Sequence, residues 1–555
     1  MLTTRLSKKN TDSSRSVMQC SSPICKHVRI FTAVMALILM VSAFDSIRIH
    51  AAAARDIRVG LTSLYGKKDI ITIYNDLLAI GHCKDNSFTV SETFQSVTGF
   101  SFEPDQNHWY ISSTSYNSFK NAAFICSEMV NAGYDAVPCI YDSRQWKVYV
   151  RIPADMTGTF NLHDYGAEFK NSTLLRSAIN TVIHAEAAGY EFLIDGYAAG
   201  YPQFKAVNSK GAQIPVSLGT RKYRGRIEIV REKDKITAVN VVGIEAYLLG
   251  VITCEMGSSK PEEALKAQAI CSRSYAAAKA GFNADSSASK PYKMNDTDES
   301  QVYKGVGAET EAAYNAVRST LGQVIRDPDG NILEAFYFST DGGSTDSISD
   351  IWGYSSKVYD AVFDPYETDP EADPWIEEYT LTQLSSLLKD KGHDVGTVTD
   401  ISVSVTTAGG RAYSVAIKGT TGKTSISGNT LREILGLPST KFRIITSDSE
   451  ADIVYTIGAD GSTIPVIPGD SYAISENSSL SILETSTEQY IIVGENSLYN
   501  VPDSLPPAGS VYIIGMGKGH GVGLSQSGAT GMAKLGYSYT EILNFYYHNI
   551  TIGKY

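Results

Sequence analysis

Apolar and polar residues alternate with two periods along this chain, and the change of period marks its parts. Between residues 56 and 160 the alternation comes in short runs of period two, broken once by a helical stretch. Trp109 to Ser115 (WYISSTS) reads as a strand, Tyr116 to Tyr134 as a helix with Gly133 as its C-cap, and Gln145 to Ile152 (QWKVYVRI) as a second strand. From about Phe192 to Val242, runs such as IPVSLG and YRGRIEIVREKDKITAVNVV again alternate with period two between charged turns. The period becomes helical from Gly243 to Ala280 (GIEAYLLGVITCEMGSSKPEEALKAQAICSRSYAAAKA). There an apolar helical run ends at Cys254, Glu255 follows, a short polar break intervenes and a second helix opens, with Ser259 and Glu262 spaced as a capping box. Residues 331–342 read as a buried strand entering a glycine-rich turn, 380–395 as a helix, and 400–418 as two strands around Gly409-Gly410. A β-rich stretch with many Ser, Gly and Pro fills 451–512, and the last 40 residues hold a glycine-rich loop and a helix. The pattern predicts an α+β protein. A small α/β module over 55–160 precedes a mixed, β-rich domain over 190–555, which carries the two-helix segment and the insertion at about 451–512.

The N-terminus belongs to targeting rather than to the fold. A basic stretch precedes the 15-residue apolar run IFTAVMALILMVSAF (Ile30 to Phe44), which suits a signal peptide better than a full membrane span, and Ala51 to Ala54 offer a small-residue cleavage site. Cleaved or kept as an anchor, the leader predicts export of the remainder, to the cell wall or the outer face of the membrane. Residues 1–54 hold seven of the 48 Lys/Arg and two of the 60 Asp/Glu, leaving 41 basic and 58 acidic residues, a net charge of −17. That balance argues against a nucleic-acid partner. Five cysteines follow the leader (Cys83, Cys126, Cys139, Cys254, Cys271), so at least one has no partner within the chain. Cys126 and Cys139 are close enough in sequence to pair, whereas Cys254 and Cys271 read as buried small apolar residues rather than nucleophiles.

Three segments are too particular for generic scaffold. The first holds Glu255 at a helix junction among apolar neighbours, where a carboxyl can keep its proton near neutral pH. On the helix after it, Gln268 and Ser272 lie four apart, as do Ala269 and Arg273. Arg273 is a candidate to bind substrate or to set the charge of Glu255; an ion-paired structural arginine is the alternative. The second segment, Phe336 to Trp352 (FYFSTDGGSTDSISDIW), ends a strand in Ser339-Thr340-Asp341-Gly342-Gly343, where the hydroxyls can hydrogen-bond a sugar and paired glycines let a ligand approach the backbone. Alone, it would be a polar turn. The third, Gly515 to Gly531 (GMGKGHGVGLSQSGATG), packs seven glycines and His520 into 17 residues, followed closely by Ser525 and Gln526. A dinucleotide site is excluded because no βαβ unit follows; a cleft wall fits better.

Together the segments resemble the stage II sporulation protein D family, the SpoIID/LytB domain. The family pattern LExYLxGVxxxEM…EALKAQAxxARTYA stands here as Ile244 to Leu248, Glu255-Met256, Glu263 to Ala269 and Ser272 to Ala276. The STxGG turn is matched by Ser339 to Gly343, GxGxGHGVGxSQxGAxGMA from Gly515 to Ala533, and GYSYxxIL by Gly536 to Leu543, so the resemblance spans about residues 210–555. It implies a lytic transglycosylase that cuts between N-acetylmuramic acid and N-acetylglucosamine in peptidoglycan strands stripped of stem peptides. Glu255 would be the acid/base, with Arg273 assisting and Gln268, Ser339, Thr340, Gly342, Gly343, His520, Ser525 and Gln526 binding the substrate. It also implies sporulation or wall remodelling in a Gram-positive bacterium, with an N-acetylmuramyl-L-alanine amidase and a membrane scaffold as partners. Relatives of the LytB branch modify an amidase, which makes a non-catalytic wall-binding protein the alternative. The stretch 109–151 is similar to a sporulation-related repeat domain, which binds stripped glycan; an unrelated accessory α+β domain is the other reading.

The chain departs from the family at one place. Where some relatives bind zinc through Cys and His, Asp296 to Gly305 (DTDESQVYKG) holds neither, so no metal and no cofactor is expected. Asp296, Asp298 and Glu299 there read as a solvated acidic turn rather than a Ca²⁺ site.

Overall fold

The computed structural model describes residues 55–447 and 506–555, apart from 85–86, 142–144, 153–161, 163–172, 176–180, 188, 196–200, 284–290 and 368–374; between 448 and 505 it describes the short strands Val454–Ile457, Thr463–Val466, Tyr472–Ile474 and Leu480–Ile482. The leader, with its apolar run Ile30 to Phe44, lies outside the described residues. Among the described residues no helix is long and apolar enough to cross a membrane.

The strongest strand signals, Arg226–Glu232 and Lys235–Gly243, pair antiparallel as a hairpin inside a seven-stranded sheet. Their interior residues are buried on both faces, because a second, ten-stranded sheet covers one side and helices the other. Aromatic rings join the sheets: Phe102 meets Phe204 at 4.8 Å between centroids, and Phe94 stacks on Phe192 at 5.1 Å. These rings bury apolar area at the core of the two-sheet layer, the dominant favourable term in such packing.

The boundary expected between 160 and 190 is not a seam of this fold. Asp56–Gly60 lies beside Lys235–Gly243 in register Asp56↔Gly243, and Phe100–Pro104 pairs with Val182–Ala187. Strands from the expected N-terminal module thus complete both sheets, and the described residues from 55 onward form one compact unit. Within 109–151 the helix is Phe119–Asn131, capped by the Ser118 hydroxyl, and Gly133 follows its end at φ 91° as the left-handed residue that stops it. An additional strand, Ala136–Ile140, lies between the helix and Trp146–Arg151. All five of its residues are buried, so it has no period-two signature, and Pro138 obscures it further. Cys126 and Cys139 are both free thiols, so the pairing their spacing allowed is not made.

Lys235–Gly243 runs directly into the helical layer. The first apolar run is two short helices, Ile244–Leu249 and Ile252–Met256, broken at Gly250. A side chain there would come within 2.7 Å of the Tyr303 ring and 2.9 Å of a backbone carbonyl, so the chain turns where only glycine fits. Glu255 lies inside the second helix rather than after it, and Gly257 ends the helix at φ 77°. The long helix Glu262–Ala280 follows, buried on every side from Ala267 to Ala277. The expected Ser259 capping box does not form: Pro261 is the N-cap, and Glu262 and Glu263 pair with Lys266. Proline's fixed φ suits the start of a helix, and it brings no N–H of its own to be satisfied there.

Arg273, on that helix, has no exposed surface. Its Nε and Nη2 meet the two Glu245 oxygens at 2.9 and 2.8 Å, and Nη1 donates to the Gln323 carbonyl at 3.0 Å. The Gly322 amide donates to Glu245 Oε1 at 3.0 Å. The ion-paired alternative for Arg273 is therefore the one realised.

Toward the C-terminus, Tyr337–Phe338 pairs in parallel with Leu524–Ser525, and the helices Gln526–Lys534 and Tyr539–Tyr546 pack on the long helix. A lobe with its own core (Leu384, Val415, Ile417, Phe442, Ile513) contains the expected helix, as Leu381–Asp390, and the strands Val398–Thr406 and Ala412–Gly419. The β-rich insertion leaves from Phe442–Thr446 and returns at the adjacent antiparallel strand Ser510–Gly515; its described strands form two hairpins.

Breaking one partner of a fully buried, bidentate pair strands the other charge without water, at a cost of about 3–5 kcal/mol. Arg273→Ala and Glu245→Ala should each lose about that much stability in denaturant unfolding. The double variant should lose less than the sum; losses below about 1 kcal/mol would contradict the bracing role.

Candidate functional site

Glu255 sits where the three singled-out segments meet. The Val302 backbone N–H donates to its Oε1 at 2.7 Å, and the Tyr337 hydroxyl and the Gln526 side chain also hydrogen-bond the carboxyl. The Gln301 amide nitrogen donates to Tyr337 Oη at 3.0 Å and to the Ser272 carbonyl at 3.3 Å, while the Tyr247 hydroxyl donates to Gln301 Oε1 at 3.0 Å. A carbonyl can only accept, so the amide orientation of Gln301 is fixed by Ser272. Since Gln301 fills the acceptor side of Tyr337, the hydroxyl proton of Tyr337 is left for Glu255. On the other side Gln526 Nε2 donates to Gln268 Oε1 at 3.3 Å, and Gln268 Nε2 to Ser272 Oγ at 3.0 Å.

Burial among these groups pushes the Glu255 pKa up to about 7, against the downward pull of the three hydrogen bonds, with the nearby Asp298 charge adding a smaller upward push. Tyr337 is held well above its ordinary range, first by burial and then by the Glu255 charge, so it stays a donor.

The other sequence-predicted residues divide by exposure. Gln526, Ser339, Gly343 and His520 are partly exposed, whereas Gln268, Thr340, Gly342 and Ser525 are buried. Gln268 and Ser525 therefore act by holding neighbours: Ser525 Oγ caps the Gln526–Lys534 helix through the Gly528 N–H and donates to Glu367 Oε1 at 2.9 Å. Glu367 in turn accepts from the Asp341 and Gly342 amides at 2.6 and 2.9 Å, tying the STDGG turn to the residue before Gln526. The Thr340 backbone exchanges hydrogen bonds with Lys518, which stitches the turn to the glycine-rich loop. Gly343 sits at φ 97° with open space where a side chain would be.

His520 packs among Phe336, Phe338 and Trp352, and its Nδ1 accepts from the Val522 N–H. Burial first, then the Arg411 and Arg432 charges, push its pKa down to about 3, so it is neutral at neutral pH and no proton donor. Arg273, with no exposed surface, is not available to a substrate, and its expected catalytic part becomes a bracing one. Burial raises the pKa of the Cys254 thiol, against a nucleophilic role.

Sequence reasoning missed Tyr337, Gln301, Val302 and Glu367. Tyr337 lies in a run that reads only as a buried strand, and 296–305 reads only as a solvated acidic turn without metal-binding Cys or His. Among the described residues no group of three or more His, Cys, Asp and Glu is placed to hold a metal ion. Asp296 instead accepts from the Ser63 amide and hydroxyl, at 2.8 and 2.5 Å, and anchors the loop that delivers Val302.

A carboxyl whose folded pKa lies above its unfolded value of 4.5 keeps a proton that the unfolded chain loses, so its contribution to stability falls as pH rises from about 4.5 to 7 and then levels off. Glu255→Gln removes that titration. Denaturant unfolding from pH 4 to 8 should show wild type losing stability relative to the variant across this window; parallel curves would contradict the raised pKa.

The family model described as Stage II sporulation protein (SpoIID) matches residues 232–326, which include Glu255, Gln268, Arg273 and Gln301. An uncharacterized protein of Brachyspira hyodysenteriae is 25% identical over 342 residues, 61% of this chain and 74% of that protein. The amidase enhancer of Bacillus subtilis (strain 168) is 29% identical over 309 residues, 56% of this chain and only 40% of the relative's length. Stage II sporulation protein D of the same organism is 25% identical over 355 residues, 61% of this chain and 83% of the relative. The match falls on the segment that carries Glu255 and its Val302 donor, so residues 232–326 are a SpoIID family segment within this chain.

Proposed function

We propose that this protein is a peptidoglycan lytic transglycosylase in which Glu255 is the only proton-transferring side chain. The observation that carries this reading is a single carboxyl set where three segments meet, reached by one amide, one hydroxyl and one side-chain amide, with burial pushing its pKa up to about 7. A group poised at the working pH donates and accepts protons with comparable ease. As acid, Glu255 gives its proton to the glycosidic oxygen while the bond from that oxygen to muramyl C1 breaks. The muramyl C6 hydroxyl then bonds to C1 and returns its proton to the Glu255 carboxylate, leaving a 1,6-anhydro end. Hydrolytic glycosidases need two carboxylates because water or the enzyme must supply the nucleophile; here the sugar supplies it. Val302, Tyr337 and Gln526 stabilise the carboxylate in the interval, and Ser339, Gly343, His520 and Gln526 are the predicted residues with surface to meet the glycan.

The proposed setting is the outside of the cell, with the protein secreted or anchored by residues 1–54. The substrate would be glycan strands stripped by an amidase, in sporulation or wall remodelling, and a membrane scaffold is a further proposed partner. The N-terminal segment 109–151 is proposed to add glycan affinity. A second reading, a non-catalytic wall protein that modulates an amidase, draws on the relative named amidase enhancer.

Purified wall, intact and amidase-stripped, incubated with wild type and Glu255→Gln separates these by mass spectrometry. Anhydromuramyl ends are expected from wild type on stripped strands, with Glu255→Gln slower by roughly 10²–10⁴-fold, the usual contribution of general acid–base catalysis. Reducing muramyl ends would mean hydrolysis. Sedimentation of both proteins with the wall and no cleavage would select the amidase-modulating reading.

A further inference from the structure

An open cavity of about 630 Å³ extends from Gly342 and Gly343 of the STDGG turn. Its walls come from three distant parts of the chain: the turn 342–345, the segment 361–367 and the hairpin turn 406–410, with Lys441 and Met516 at the edge. The hairpin turn belongs to the lobe built around Val415 and Phe442, so the cavity is made only where that lobe meets the STDGG turn.

The walls are fixed in place by buried polar contacts. Arg411 and Asp346 pair at 3.1 Å with neither side chain exposed, and Asp346 Oδ1 accepts from the Gly409 amide at 2.9 Å. The Ser344 hydroxyl donates to the Gly409 carbonyl at 2.9 Å, and Lys441 Nζ donates to Ser344 Oγ at 2.9 Å. At Gly409 a side-chain carbon would fall 2.5 Å from the Thr345 carbonyl, so this close approach needs glycine. The buried Arg411–Asp346 ion pair and the hydrogen bonds to Gly409 set one geometry before any ligand arrives.

The lining suits a sugar ring. It is mainly polar, with hydroxyls and backbone groups on the turns, and the aromatic residue Phe363, 40% exposed, is one of its lining residues. A pyranose has hydroxyls at its edge and C–H groups on its faces, and a polar pocket with one aromatic surface meets both. The volume falls in the range of small-ligand sites. Two carboxyls, Asp364 and Glu367, and one ammonium, Lys441, line it, which favours an uncharged sugar over an anionic one. Glu367 also links the cavity to the acid: it takes the Ser525 hydroxyl, and the next residue, Gln526, bonds Glu255.

We propose that this cavity is a second saccharide subsite, which takes an uncharged N-acetylglucosamine residue of the same glycan strand that reaches Glu255 and so makes the protein prefer long strands. The choice of sugar rests on the glycan reading above; the existence of a polar saccharide pocket does not.

Two variants test it without touching the residues around Glu255: Phe363→Ala, which removes the aromatic face, and Ala408→Trp, which fills the cavity from an exposed position. Each is assayed for binding of tetra-N-acetylchitotetraose by calorimetry and for cleavage of stripped strands of defined length, with thermal melting as the control for folding. The expected result is binding weakened, and KM on long strands raised, by roughly five-fold or more, the size of one lost aromatic contact. Over the same variants kcat and melting temperature stay unchanged, as does the KM of the shortest strand that is cut. If wild type binds the tetrasaccharide and both variants weaken it, the subsite stands even where no cleavage is seen, and only the enzymatic reading fails. Unchanged binding and unchanged KM in both variants, or no binding of the tetrasaccharide by wild type, would overturn the proposal.

Discussion

Arg273 and Glu245 meet out of reach of water, and the position of Glu255 follows from that contact. Glu245 lies on the helix just before the Glu255 helix; Arg273 lies one turn beyond Ala269 and next to Ser272 on the long helix. Locking the pair fixes the register between the element that carries the acid and the element that orients its partners. A buried ion pair is a weak source of net stability, since desolvation offsets most of the attraction. Its value here is geometric, because a bidentate fork tolerates little sliding.

The acid itself is set by opposition. Burial alone would raise the Glu255 pKa further, and the three donors alone would lower it. Together they leave it near 7. Each donor comes from a different part of the chain: Val302 from a loop anchored by Asp296, Tyr337 from a two-residue parallel strand, and Gln526 from the first position of a helix. The glycine-rich loop and the STDGG turn are the means of bringing them together. Glu367, gripping both the turn and Ser525, is the clasp.

Much of this was legible in the sequence, and the gaps have physical reasons. Period-two runs located Arg226–Glu232 and Lys235–Gly243, and a capping box did mark a helix start, at Thr380 and Gln383 rather than at Ser259. Ala136–Ile140 was invisible because a strand buried on both faces does not alternate. The expected domain boundary failed because sheet partnership is non-local: nothing in residues 56–60 announces Val239 to Gly243 as neighbours. Glu255 and Gln526 were found through unusual local composition. Tyr337 and Gln301 are ordinary residues in ordinary runs, and only the tertiary network gives them a role. Arg273 looked functional for the same reason that it is structural, since a lone charge on an apolar helix must find a partner in either case.

The proton on Glu255 is the point on which the chemistry turns. Protein labelled at glutamate side-chain carboxyl carbons, wild type and Glu255→Gln, would be titrated by carbon NMR, the variant identifying the signal. A midpoint near 7 in the folded wild type is the predicted result. A midpoint near the ordinary 4.5 would mean that the site does not retain its proton at neutral pH, and that Glu255 is not poised as the acid.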